Sequence, residues 1–493
     1  MRRHRKARIM TATHRPSAPT IDDTEAIRRL RESFARQQAA FAKDPYPSLA
    51  QRQEQLGALA AMMVGNRDRI RRAVSEDFSV HPELFTDLVE VLGVAGRAAY
   101  AAEQLANWMT PEARFTDPGL YGSAQAAIRY QPKGVVGNIV PWNFPFDLSV
   151  GPLVEMLAAG NRVILKPSEF TPACGELLKE MIAATFDEDR VTVVTGGVDL
   201  ARAFSQQRWD HLLYTGNPEV GRLIAMEAAK NLVPVTLELG GKCPAVLAPD
   251  SVDATSVEQI LGTKLIKNGQ MCISVDYCLV PRNKIDDFVG LAQTHMAERA
   301  PSFSETGDCT GIITERHLDR LIDLLEEARD AGCTIVELEP AAKVDRASRR
   351  MPLSLILDPA DDLGVMQEEI FGPILVVKPY DSIDEAITHV NEGERPLGLY
   401  VFAKDEAVAD DVLTRTSSGG ACVNTCAVQG ALPALGFGGV GTSGNGRHHG
   451  IEGFREFSNP RGVVTRGEGD LIQALYPPYG EVAQAVVTAA LNG

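Results

Sequence analysis

Gly134-Val135-Val136-Gly137-Asn138-Ile139, running through Val140 into Pro141-Trp142-Asn143-Phe144-Pro145, is the stretch from which the rest of the chain is read. Its β-branched residues suit a short strand, and the two prolines stop it. Leu148 to Ala159 then reads as a helix, with Gly160 in the usual position just past a helix end. Downstream the texture repeats. Val163-Ile164-Leu165 is a strand, Glu176 to Phe186 a helix, Val191 to Val194 and His211 to Tyr214 strands, Glu219 to Lys230 a helix, and Pro234 to Glu238 a strand. Strands alternating with helices predict a parallel sheet covered on both faces. The same alternation resumes from Ser256 to Leu413 as a second α/β region. Ile128 to Gln131 reads as one more short strand. Residues 22 to 110 read as mostly helical, with amphipathic runs at Leu49 to Met63 and Glu83 to Trp108.

A chain of 493 residues is too long for one core and should divide into two or three domains. Its 44% hydrophobic and 23% charged residues are those of an ordinary globular protein. A formal charge of −16 argues against a nucleic-acid partner, which would need a basic surface. The longest apolar stretches are broken by Gly, Pro or charge, so no membrane span is expected. The first ten residues are basic and lack an apolar core, which excludes a signal peptide and suggests a disordered tail over residues 1–20. Eight scattered cysteines suit reduced thiols in a cytoplasm. Cys422 and Cys426 have no second pair or nearby His, so no metal site is expected.

No G-x-G-x-x-G motif follows the first strand. Thr215-Gly216-Asn217-Pro218-Glu219-Val220-Gly221 lies instead between a strand and a helix, where backbone N–H groups could face a pyrophosphate. Read from the residues alone, a plain turn serves as well. Lys166-Pro167-Ser168-Glu169 puts a cation and a carboxylate just past a strand's carboxyl end, where open α/β sheets bind ligands, or it is a turn with two solvated charges. Among the thiols Cys272 stands out, in Asn268-Gly269-Gln270-Met271-Cys272-Ile273. That setting could place it near a helix N-terminus, where its pKa would fall. Any one of eight thiols is otherwise a buried, inert side chain. Upstream, Leu237-Glu238-Leu239-Gly240-Gly241-Lys242 offers a carboxylate that could activate water.

Taken as an ordered set, these segments resemble the aldehyde dehydrogenase superfamily from about Ser48 to Arg461. Pro141 to Pro145 looks like its oxyanion segment and Lys166 to Glu169 its adenosine-ribose segment. Gly216 to Gly221 looks like its phosphate turn, Leu237 to Lys242 its general-base segment, and Gly269 to Cys272 its nucleophile segment. Glu368-Glu369-Ile370-Phe371-Gly372-Pro373 is similar to the segment on the nicotinamide side, and Gly436 to Gly444 to the glycine-rich closing loop. Val193 to Gly197, Ala203-Phe204-Ser205 and His389 to Gly393 are similar to bacterial coniferyl aldehyde dehydrogenases, a branch related to the class 3 and fatty aldehyde enzymes. The sequence departs from the family at Asn217 and Cys243, each in place of a common Ser, and at Met271 in place of a frequent Thr. It departs again at Ala434-Leu435-Gly436 in place of a usual Leu-Pro, in a loop that borders the aldehyde entrance in relatives.

The resemblance implies oxidation of an aldehyde to an acid with NAD or NADP, on an aromatic coniferyl-type or medium-chain substrate. Cys272 would attack the aldehyde, Asn143 would hold the oxyanion, and Glu238 would activate the water that hydrolyses the thioester. Cofactor contacts are implied for Pro141, Trp142, Lys166, Ser168, Glu169, Gly216, Asn217, Gly221, Leu239, Gly240, Glu369 and Phe371. The resemblance also implies a Rossmann-type cofactor domain over 21–118 and 133–242, a catalytic domain over 243–435, and a small β oligomerisation flap from 119–132 and 454–470. A homodimer is expected, with a tetramer possible, and residues 471–493 read as a helical tail. An acylating relative that passes the thioester to coenzyme A would not need Glu238. A non-catalytic relative would be free to lose Cys272 or Asn143.

Overall fold

The structure is a computed structural model and describes residues 22–492. The tail expected over residues 1–20 lies outside the described residues. Two parallel sheets organise the chain.

The first sheet has six strands in the order Gly444–Asn445, Val235–Leu239, His211–Gly216, Val135–Ile139, Arg162–Lys166 and Val191–Val193. All pairs are parallel except the outermost, where Gly444 faces Glu238 antiparallel. Val135–Ile139 and Arg162–Lys166 are buried along their whole length, as strands covered on both faces must be. The chain leaves Val135–Ile139 toward Arg162–Lys166, then returns to its other side at His211–Gly216. That reversal opens a crevice beyond the carboxyl ends of these strands, the usual ligand position in such sheets. The Pro141–Pro145 turn and Gly216 both sit there.

The second sheet has seven strands in the order Thr334–Glu337, Ser354–Leu357, Ile374–Tyr380, Val275–Pro281, Cys243–Leu247, Gly398–Phe402 and Gly420–Val423. Only its first pair is antiparallel. Cys243 opens a strand of this sheet four residues after Leu239 closes a strand of the other. The Glu238 and Cys272 segments therefore lie where the two sheets adjoin.

Helices Leu49–Gly65, Val94–Trp108 and Asp147–Ala158 pack together beside the first sheet. Every residue of Asp147–Ala158 after Asp147 is buried. Between Phe85 and Val94 the expected continuous helix is interrupted by a π-helical segment, Thr86–Gly93. Helix Val198–Ser205 was not expected from the sequence.

The expected flap differs in its bounds. A three-stranded antiparallel sheet joins Glu112–Arg114, Gln125–Pro132 and Ser458–Thr465. Glu112–Arg114 falls in the span expected for the cofactor region. Pro118–Tyr121 and Gly450–Glu456 are short helices rather than flap strands. Proline at the first helical position and the Asp117 cap account for the former. Beyond it, Ile472–Leu475 is one 3-10 turn and Glu481–Asn492 a helix with no buried residue. No helix among the described residues is long and apolar enough to cross a membrane.

Candidate active site

Cys272 lies in the connection between helix Ala254–Leu265 and strand Val275–Pro281, and keeps part of its surface open. It does not begin a helix, so the expected fall in its pKa does not occur. Burial, then the carboxylates of Glu369 and Glu238, push its thiol up instead. Behind it the Cys243 thiol donates to the Cys272 carbonyl at 3.4 Å and accepts the Gly398 N–H at 3.2 Å. A serine hydroxyl would fill the same role, which makes this family departure a conservative one.

Asn143 is buried in the turn after strand Val135–Ile139, and its side-chain amide donates to the Gln270 carbonyl at 3.4 Å. The structure therefore brings the Asn143 amide to the loop that carries Cys272, two residues before the sulfur. The contact is long for an N–H···O bond, which leaves the amide free to take a better acceptor.

Glu238 is 2% exposed, and neither carboxylate oxygen has a partner among the described residues. Its backbone is fixed between Thr215 and Gly444 in neighbouring strands. Burial, reinforced by Glu456 and opposed by Arg447, raises its pKa well above the usual carboxylate value. An unpaired buried carboxyl is costly and clusters at functional sites.

Glu369 packs directly over Gly240. A side chain on Gly240 would begin 2.1 Å from Glu369 Oε2, so only glycine leaves the carboxyl its place. Burial and the neighbouring Asp276 push Glu369 up to about 8. Its segment is tied down by Lys242, whose Nζ donates to Asp276 at 2.5 Å, to the Val365 carbonyl at 2.7 Å and to the Glu368 carbonyl at 3.0 Å. Gly269, at φ +78°, packs its backbone against the Gly372 carbonyl, with 2.2 Å left for any Cβ. The Gly269–Cys272 turn and the Glu369–Phe371 turn are thereby fitted to each other.

Phe371 adopts the left-handed conformation at φ +54°, a strained choice for an aromatic residue. Its ring meets Trp142 edge-on at 5.3 Å. Trp142 also meets His317 at 5.3 Å, and His317 meets Phe170 at 5.6 Å. This aromatic row leads from the Glu369 corner to the Lys166 corner, where Lys166 pairs with Glu169 at 3.1 Å and the Ser168 hydroxyl accepts the Phe170 N–H at 3.2 Å. Pro141 sits half-buried at the head of the Trp142 turn.

Gly216, Asn217 and Gly221 form a third corner. The Asn217 side chain caps helix Pro218–Ala229 by accepting the Val220 N–H at 2.9 Å. Gly221 and Leu239 are buried beneath this corner.

Several residues near the site had no signal in the sequence. Arg320 donates to the Glu369 carbonyl at 3.3 Å, and His317 completes the aromatic row. Arg447 lies beside Glu238. Their neighbours are remote in the chain, so no local pattern marks them. Cys272, Phe85 and Phe437 pack against one buried apolar cluster, which includes Phe144.

A dinucleotide suits this crevice on the donors present. The Lys166–Glu169 pair, the half-open Trp142–Phe371 wall and the Glu369 carboxyl over Gly240 line its two ends.

Comparison with known proteins gives a consistent result. The profile of the Aldehyde dehydrogenase family matches residues 18–463. A Caulobacter vibrioides protein described as "Probable coniferyl aldehyde dehydrogenase" is 43% identical over 92% of this chain and 94% of its own length. The coniferyl aldehyde dehydrogenase of a Pseudomonas species is 39% identical over 94% of this chain and 96% of its own. Among solved structures, Staphylococcus aureus AldH in a substrate-bound state superposes with a TM-score of 0.87 at 31% identity, covering 93% of this chain and 99% of that one. A Mycobacterium tuberculosis aldehyde dehydrogenase complexed with NAD+ gives 0.81 at 26% identity, covering 90% and 91%.

Proposed function

The chain belongs to the aldehyde dehydrogenase family, and from that premise we propose that Cys272, Asn143 and Glu238 carry out its oxidation of an aldehyde to a carboxylic acid. The enzyme is an NAD(P)-dependent oxidoreductase. The observation that supports the assignment is the gathering of a part-open thiol, a weakly engaged buried amide and an unpartnered buried carboxyl.

Cys272, once deprotonated, adds to the aldehyde carbon and forms a thiohemiacetal. The Asn143 amide exchanges the Gln270 carbonyl for the developing oxyanion, a donor worth about 3–4 kcal/mol in a water-poor site. NAD(P)+, when bound, would supply the hydride acceptor needed to oxidise the thiohemiacetal oxyanion to a thioester. Glu238 then takes a proton from water as that water attacks the thioester carbon, releasing the acid and restoring the thiol. Once ionised, a carboxylate with a raised pKa is the stronger base for this step.

Glu369 and Phe371 would hold the nicotinamide side of the cofactor, and Lys166, Ser168 and Glu169 its adenosine ribose. Pro141 and Trp142, with Gly240 and Leu239, would line the path between them. The backbone of Gly216 to Gly221 would face the phosphates through the N–H groups that begin helix Pro218–Ala229.

The likeness to coniferyl aldehyde dehydrogenases favours an aromatic, coniferyl-type aldehyde, with medium-chain aldehydes next, and the phenylalanines Phe85, Phe144 and Phe437 share an apolar cluster with Cys272. The antiparallel flap with exposed outer strand Ser458–Thr465 supports a homodimer. All eight cysteines are free, which suits a reducing cytoplasm.

The test is Cys272→Ala assayed on a panel of aldehydes with NAD+ and NADP+, with and without coenzyme A. The expected result is complete loss of reduced-nicotinamide production, and coenzyme A-independent turnover by the wild type. Full activity in the variant would end the covalent mechanism.

A further inference from the structure

The turn carrying Asn143 and the turn carrying Cys272 come from sequence regions far apart, and one side chain bridges them. Lys267, Asn268 and Gly269 are three successive left-handed residues, at φ +47°, +53° and +78°. Two of them are not glycine, so the conformation is strained and must be held from outside. The Lys267 Nζ donates to the Asn143 carbonyl at 2.5 Å and pairs with Glu90 Oε1 at 2.9 Å, with both side chains fully buried. It also lies 4.4 Å from the Phe144 ring centre and 4.6 Å from that of Phe78.

The same residue grips its own loop. The Lys267 carbonyl accepts the Gln270 side-chain amide at 2.9 Å and the Gln270 backbone N–H at 3.2 Å. On the far side, Glu90 Oε2 accepts the N–H groups of Phe146 and Asp147, each at 2.9 Å. Glu90 is presented by the π-helical segment Thr86–Gly93, an uncommon geometry that recurs at functional sites.

A buried ion pair of this kind is a poor source of stability, because apolar residues of equal volume often serve as well. Its contacts suit placement. We propose that Lys267 and Glu90 are positioning residues for the reaction, clamping the Asn143 turn to the Cys272 turn so that the amide and the sulfur meet the same carbonyl. This rests on the roles assigned above to Asn143 and Cys272. Among the described residues the Asn143 amide is held by its long contact to Gln270 alone, so its location depends on its backbone, which is what Lys267 fixes.

The test compares four proteins in steady-state kinetics: wild type, Asn143→Ala, the double variant Glu90→Gln/Lys267→Met, and the triple variant. The double variant removes both charges together and avoids an isolated buried charge. It is expected to fold, to bind NAD+ as the wild type does in fluorescence titration, and to hold KM near the wild-type value. Its kcat is expected to fall about 10- to 100-fold, as misplacement by about 1 Å can cause. The triple variant is expected to be no slower than Asn143→Ala, since the clamp acts only through that amide. A double variant with wild-type kcat, or a triple variant in which the two losses multiply, overturns the clamp while leaving Asn143 in its role. Wild-type kcat in Asn143→Ala overturns both. Should the double variant not fold, Glu90→Gln alone keeps an acceptor for Phe146 and Asp147 but loses the pair. A folded Glu90→Gln protein with reduced kcat supports the clamp, and one at the wild-type rate overturns it.

Discussion

Replacing Glu238 by glutamine separates the two halves of the reaction and makes the group's burial measurable. In the folded protein the carboxyl is buried, without a hydrogen-bond partner among the described residues, and burial raises its pKa well above the ordinary carboxylate value. The unfolded chain keeps the ordinary value, so the folded state holds this proton more tightly. Stability is therefore highest below the ordinary value and is lost as pH rises from there to the raised folded value. Each unit of the shift corresponds to about 1.4 kcal/mol. Glu238→Gln lacks this loss, so the difference in melting temperature between variant and wild type should grow in the variant's favour as pH rises across that window. Kinetically, loss of a general base costs about 10²- to 10⁴-fold. Stopped-flow measurement should show about one reduced nicotinamide formed per site in a burst, from single-step thioester formation, followed by turnover slower by that factor. The wild-type rate limited by thioester hydrolysis should rise with pH as Glu238 ionises, and the variant should lose that rise. A variant that turns over at the wild-type rate, or that loses the burst while Cys272 still alkylates normally, refutes the assignment.

Glu169→Gln removes the negative charge that a 2′-phosphate would meet, so the ratio of kcat/KM for NADP+ to that for NAD+ should increase, read from parallel initial-rate series. Val464→Asp places a charge at a 67% exposed position of the outer flap strand, so the homodimer proposed above predicts a wild-type dimer and a variant shifted to monomer in sedimentation velocity. Phe204→Ala empties a buried site against Trp209, whose ring centre is 4.5 Å away, and should cost about 3–5 kcal/mol in chemical denaturation.

The alternation of strand and helix from Val135 to Leu239 was legible because each element is long enough to show its own period. The predicted strand at Val163–Leu165 needs only one residue added at each end to become Arg162–Lys166. What escaped has a physical reason in each case. Gly444–Asn445 is two residues long and carries no period, yet it returns to cover Glu238. The π-helical segment shares its apolar spacing with an ordinary helix. Lys267 and Glu90 are 177 residues apart and nothing local distinguishes either from a solvated charge.

The largest departure concerns the thiol, and it bears on how the enzyme avoids waste. A cysteine beside a helix N-terminus would rest as thiolate and react with any electrophile. Here burial above all pushes the Cys272 thiol up, and Glu369 and Glu238 add to this only as they ionise. The same low-dielectric setting raises Glu238 and Glu369, so each is a better proton acceptor when ionised than a solvated carboxylate would be. The thiol's resting inertness and the base strength of its neighbours thus have one cause. It follows that the rate of Cys272 alkylation in the enzyme alone should be slow near neutral pH and rise with pH. Alkylation that is fast and independent of pH near neutrality would mean that the sulfur rests as thiolate and that burial does not govern it.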